Sequence, residues 1–191
     1  MECSDCGSAP AEAGKPVSRL AHKSISYDAL VEMVRQNGGQ LEIDVSTTDV
    51  GSETTMGFPW RGFKLAWAKR MLGALNGATV ELATVEVGTK KTWGFPYFGY
   101  GYGWAERMQG HIAGHEVSLV AVEVGKERKS EFPWRGYGFA WAQELCGECG
   151  GQLEAELSIT DVGRAKGWNF PYFGFGSAWA KKGTLTLRVP G

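Results

Sequence analysis

All four cysteines of this 191-residue chain fall in two CxxCG units, Cys3-Ser-Asp-Cys6-Gly and Cys146-Gly-Glu-Cys149-Gly. Zinc takes four thiolates in a tetrahedron, and a CxxC turn presents two of them. The two pairs therefore predict a structural zinc held by Cys3, Cys6, Cys146 and Cys149. It would pin the N-terminal segment onto the rest of the chain. The 139 residues between the pairs depart from zinc-ribbon spacing, so unbound thiols and a redox pair stay open as readings. A site closed by four thiolates leaves no position for a substrate, and no catalytic role follows.

Carboxylates are the next group able to do chemistry. Asp49, Glu86, Glu123 and Asp161 each open an acid-Val-Gly triplet, and the triplets step by 37, 37 and 38 residues. Recurrence in every unit points to a structural task, accepting turn amides or pairing with Lys and Arg. The alternative is a binding role, accepting ligand hydroxyls beside an aromatic floor. There is no G-x-S-x-G elbow, phosphate loop or dinucleotide fingerprint. With only three histidines, a nucleophile–base set is hard to assemble. His22 reads as idle, and His111 and His115 read as part of a solvated loop. The chain is therefore expected not to be an enzyme.

Aromatic residues carry the remaining signal. The chain holds eight tryptophans, six tyrosines and nine phenylalanines. They concentrate in four related segments: GFPWRGFKLAWAKRM (57–71), GFPYFGYGYGWAERM (94–108), EFPWRGYGFAWAQEL (131–145) and NFPYFGFGSAWAKKG (169–183). Proline forbids a central ladder bond, so the FPW and FPY groups belong at an edge or rim. Trp60, Arg61, Tyr97, Trp134, Arg135 and Tyr172 are thus candidate ligand-binding residues, with Asp49, Glu86, Glu123 and Asp161 nearby. Such rims suit a saccharide or a protein partner. A second reading is single-stranded nucleic acid, with bases stacked on Trp60, Tyr97, Trp134 and Tyr172. Lys69, Arg70, Lys90, Lys91, Lys126, Arg128 and Lys129 would then follow the phosphates. The formal net charge of −1 opposes it unless those cations share one face. A structural subunit of an assembly is the third reading.

These residues need a scaffold, and the register supplies one. The prolines at 59, 96, 133 and 171, the tryptophans at 67, 104, 141 and 179, and the acid-Val-Gly triplets keep one period. That is a fourfold internal repeat. Repeats one and three carry FPW. Repeats two and four carry FPY with the tryptophan moved upstream to Trp93 and Trp168. This alternation implies that a pair of repeats was itself duplicated. Each unit opens on alternating residues such as LEIDVSTTDV (41–50), the period of a half-buried strand. The glycine and polar residues that follow (GSETT, GTKKT, GKERK, GRAKG) predict a turn. The aromatic stretch predicts the second strand of a hairpin, with Trp67, Trp104, Trp141 and Trp179 in the core.

The fold expected is all-β, a barrel or sandwich of four hairpin repeats (about 40–77, 78–114, 115–151 and 152–183). A closing strand over 184–189 and a short helix capped by Ser26 complete it. An α+β arrangement of strand-loop-helix units is the alternative. Residues 1–25 read as a tether, ahead of one domain over 26–191. No apolar run is long enough to span a bilayer as a helix, and no signal peptide is evident. A soluble, cytoplasmic protein without a membrane partner is the expectation.

Overall fold

The computed structural model describes residues 24–57, 61–94, 98–131, 135–169 and 173–190. One helix, α1 (Tyr27–Gln36), precedes eight strands: β1 (Gln40–Gly57), β2 (Arg61–Leu75), β3 (Ala78–Gly94), β4 (Phe98–Ile112), β5 (His115–Glu131), β6 (Arg135–Cys149), β7 (Leu153–Asn169) and β8 (Phe173–Arg188). Every neighbouring pair is antiparallel, and β8 returns to β1, so the sheet closes as an up-and-down barrel. Over the closed band no sheet edge is left free. Of the expected architectures, the all-β barrel of hairpins is the one formed.

Local sequence explains the tight ends. Asn76-Gly77 and Ala113-Gly114 join β2 to β3 and β4 to β5, and all four residues have positive φ. Turns of this kind match the right-handed twist of the flanking strands. Ser26 caps α1 by accepting the amide of Ala29, and Asn37, Gly38 and Gly39 end it. The helix buries Leu30, Val31 and Val34 in the main core beside Ile43, Met71, Leu82, Met108, Leu119, Leu157 and Leu187. It thus closes the end of the barrel where the short turns lie. The Tyr27 hydroxyl donates to the Cys149 carbonyl and accepts from the amides of Gln152 and Leu153.

The barrel is closed only over a short band. β1 meets β8 over Gln40–Ser46, β2 meets β3 over Arg70–Leu75, β4 meets β5 over Arg107–Ile112, and β6 meets β7 over Glu144–Cys149. Within each repeat the ladder continues much further, for example to Gly57↔Arg61 and Gly94↔Phe98. Register shifts interrupt every hairpin at the recurrent acid, between Thr47 and Val50, Thr84 and Val87, Ala121 and Val124, and Ile159 and Val162. A bulge bends its strand, and here each bend turns the hairpin away from its neighbour. Four two-stranded arms result. Their second strands, β2, β4, β6 and β8, pack against one another. Residues Leu65, Ala66, Tyr102, Phe139, Ala140, Ser177 and Ala178 on these inner strands are buried.

Three expectations need correction. GSETT, GTKKT, GKERK and GRAKG are not turns but continuous strand in β1, β3, β5 and β7. Arm-length pairing with the aromatic strand keeps them extended despite their turn-like composition. The closing strand TLTLRV is not separate either. It is the far half of β8, which runs through Lys181-Lys182-Gly183 without reversing. Finally, the four repeat tryptophans are half-buried rather than central; the alanines beside them, such as Ala68, Ala105, Ala142 and Ala180, are buried instead.

The tryptophan placement has a steric cause. Trp67, Trp104, Trp141 and Trp179 lie directly across their hairpins from Gly51, Gly88, Gly125 and Gly163. A Cβ on those glycines would fall 2.4, 2.2, 2.2 and 2.3 Å from the indole Cε2. Each ring therefore covers its glycine, and the triplet glycine and the tryptophan form one device. The arms then interlock. Trp104 and Tyr102 pack on Ala140 and Val124 of the third hairpin, and Trp141 and Phe139 on Ala178 and Val162 of the fourth.

Candidate functional site

Side chains on the outer strands of the arms reach back over these rings. Lys126 lies 5.5 Å from the centroid of Trp104, and Arg128 lies 4.8 Å from that of Tyr100. One repeat further on, Arg164 stands 5.5 Å from Trp141 and Lys166 5.0 Å from Tyr137. Residues two apart share a strand face, which is why Lys126 and Arg128, and then Arg164 and Lys166, act in pairs. A cation over an aromatic face is attracted by about 0.5–1 kcal/mol at exposed sites. Ring and strand thus hold these cations in rows along the arms.

Charge is segregated between the arms and the rest of the chain. The arm segments 50–68, 87–105, 124–142 and 162–180 contain ten Lys or Arg and three Asp or Glu, a net of +7. The other 115 residues contain ten and 18, a net of −8. The whole-chain value of −1 conceals a dipolar molecule. Lys90, Lys91, Lys126, Arg128 and Lys129 all lie on the outer strands of the arms. Lys69 and Arg70 do not join them; they sit at the bulge of the first hairpin and pair with Asp49 and Glu81.

Between β3 and β5 an open groove of about 250 Å³ is lined by Lys90, Thr92, Tyr102, Lys126, Glu127 and Arg128. The Glu127 carboxylate is engaged by Arg164 at 2.8 Å and Lys129 at 3.3 Å. The Thr92 hydroxyl is buried without a hydrogen-bond partner among the described residues. A larger groove of about 420 Å³ lies near the helix end, with His111, Glu116, Ser118 and Glu148 among its lining residues.

The recurrent acids stand at the four bulges, one per hairpin. Asp49, Glu86 and Asp161 pair with Lys69, Arg107 and Lys181 at 3.8, 3.7 and 4.0 Å, and Glu123 lies beside Glu144 in register. They do not converge on a common point. His111 and His115 lie on either side of the Ala113-Gly114 turn, and His115 bonds the Ile25 carbonyl ahead of α1. Trp60, Tyr97, Trp134, Tyr172, Cys3 and Cys6 lie outside the described residues. So do the side chains of Arg61 and Arg135, which open β2 and β6.

The second CxxC pair does not form the expected turn. Cys146 and Cys149 are part of β6, and the turn follows at Gly150-Gly151. A three-residue separation on a strand puts two side chains on opposite faces. Cys149 is buried between Val117 and Leu153, and burial pushes its thiol up to about 11. Cys146 faces outward beside Val120 and Glu156. Burial and then its bond to Glu144, at 3.6 Å, raise its pKa. The two sulfurs do not fit one tetrahedral ion while β6 keeps this register. Glu144, Cys146 and Glu156 do come together within 4.8 Å, but Glu156 is already bound by Arg188 at 2.6 Å.

Comparison with protein-family models, curated proteins and solved structures gives no match. Among the described residues no helix is long and apolar enough to cross a membrane. Reading the repeats position by position could have found Arg164 and Lys166 as partners of Lys126 and Arg128. Thr92 and Tyr102 carry no such signal; only the packing of neighbouring arms brings them to the cations.

Proposed function

We propose that this protein is a non-catalytic binding module whose four arms take up an anionic polymer, single-stranded nucleic acid. The observation that carries this reading is the net +7 of the arm segments, with cations held in rows over aromatic rings. Five of the seven cations expected to follow a phosphate backbone, Lys90, Lys91, Lys126, Arg128 and Lys129, lie on the outer strands of the arms, which supports the reading despite the near-neutral total charge. A flexible single strand can follow the outer strands of successive arms where a stiff duplex cannot. A neutral saccharide or an ordinary protein partner would gain little from so uneven a charge distribution.

The test is anisotropy of a labelled oligothymidylate titrated with protein across a salt series. Contact with four or five phosphates predicts a slope of log K against log salt of about −3, at roughly 0.7 per phosphate. Salt-insensitive or absent binding, together with capture on an array of neutral glycans, would return the module to the saccharide class.

A further inference from the structure

We infer that the groove between β3 and β5 seats one phosphate group, and that it is the preferred such seat of the four arms. The inference rests on the anionic-ligand reading above but comes from a different observation, the groove itself and the unequal residues at the corresponding positions of the other hairpin pairs. Lys90, Lys126 and Arg128 converge on this groove with the side chains of Thr92 and Tyr102. None of the three cations has a carboxylate partner among the described residues, and the carboxylate of Glu127 is taken by Arg164 and Lys129. The unpartnered Thr92 hydroxyl adds a neutral donor. Ammonium, guanidinium and hydroxyl donors around one opening are the set that phosphate oxygens accept.

The repeat provides its own comparison. Between the third and fourth hairpins, Glu127 takes the position of Lys90, and Arg164 and Lys166 take those of Lys126 and Arg128. Arg164 is there bound by Glu127 at 2.8 Å, so that set is partly neutralised from within. Between the first and second hairpins the same three positions hold Glu53, Thr89 and Lys91, and between the fourth and first Ala165, Ser52 and Thr54. Among the described residues at these positions, only the set between the second and third hairpins holds three cations with no carboxylate partner. Tyr102 is likewise replaced by Leu65, Phe139 and Ser177.

Two measurements test the seat. Lys90→Glu copies the residue at the matching position of the next hairpin pair, while Lys64→Glu makes the same change of charge on the first hairpin, away from the groove. Oligothymidylate affinity should fall about tenfold or more in Lys90→Glu, with the salt slope reduced by about one, and about threefold or less in Lys64→Glu. Inorganic phosphate at fixed ionic strength should move the amide resonances of Thr92 and Arg128 in the wild type and not in Lys90→Glu. Equal losses in both variants, with Thr92 and Arg128 unmoved by phosphate, would overturn the seat and leave the arm-level reading standing. If phosphate moves those amides but the oligonucleotide does not bind, the nucleic-acid reading falls and the seat stands.

Discussion

At the scale of single residues, the glycine of each acid-Val-Gly triplet is fixed by the indole across from it. Gly88→Ala would put a methyl 2.2 Å from Trp104 Cε2, and overpacking of this kind costs about 1–3 kcal/mol. Denaturant melts should show that loss. Trp104→Leu in the same chain should recover part of it, because the colliding ring is gone. Cys149 gives a second expectation. Its folded pKa, about 11, lies above that of an unfolded thiol, about 8.5. The stability it contributes is whole below the unfolded value and is lost as pH rises through the folded one. Melting temperature should therefore drop between roughly pH 9 and 11, and less steeply in Cys149→Ala. Recurrence alone marked both the triplet glycine and the tryptophan in the sequence. Their contact stayed hidden, because a repeat period says which residues correspond and not which ones touch.

At the scale of elements, the joints are the bulges and the helix. Where neighbouring hairpins part, Thr47 and Thr84 donate to the carbonyls of Ala180 and Ala68, and Gln143 to that of Ile159. These side chains bridge strands where the ladder between hairpins stops. The helix is fastened chiefly by Tyr27, which makes three hydrogen bonds with the β6–β7 connection. Tyr27→Phe should cost about 1 kcal/mol, since a partly buried network loses its shared hydroxyl. Exchange of the Leu153 amide should accelerate more than that of Leu82, on the far side of the core. The helix and its Ser26 cap were legible, being written in local chemistry. The alternating half of each hairpin was legible too. The polar half of each outer strand was not: its composition favours a turn, and only pairing with a distant aromatic strand holds it extended. The turn expected at Cys146–Cys149 was not formed for a related reason: the same spacing is equally compatible with a strand, here β6, whose side chains point apart.

For the molecule as a whole, closure and polarity arise from one arrangement. The bulges divide each hairpin into a barrel half and an arm half, and the charges divide with them, to −8 for the rest of the chain and +7 for the arms. A total charge cannot report such a division; the period of the repeat, laid over the strand pairing, does. The seam of the barrel has a further consequence, for folding. β1 is completed on its outer edge by β8, with Gln40 opposite Arg188 and Ser46 opposite Lys182. Until β8 docks, the amides and carbonyls along that edge of β1 have no strand partner. An unpaired strand is a template for any other extended chain, and ring closure across so long a separation is slow. The seam is therefore the place where a second copy would lend its own β8, and domain exchange between copies would begin there.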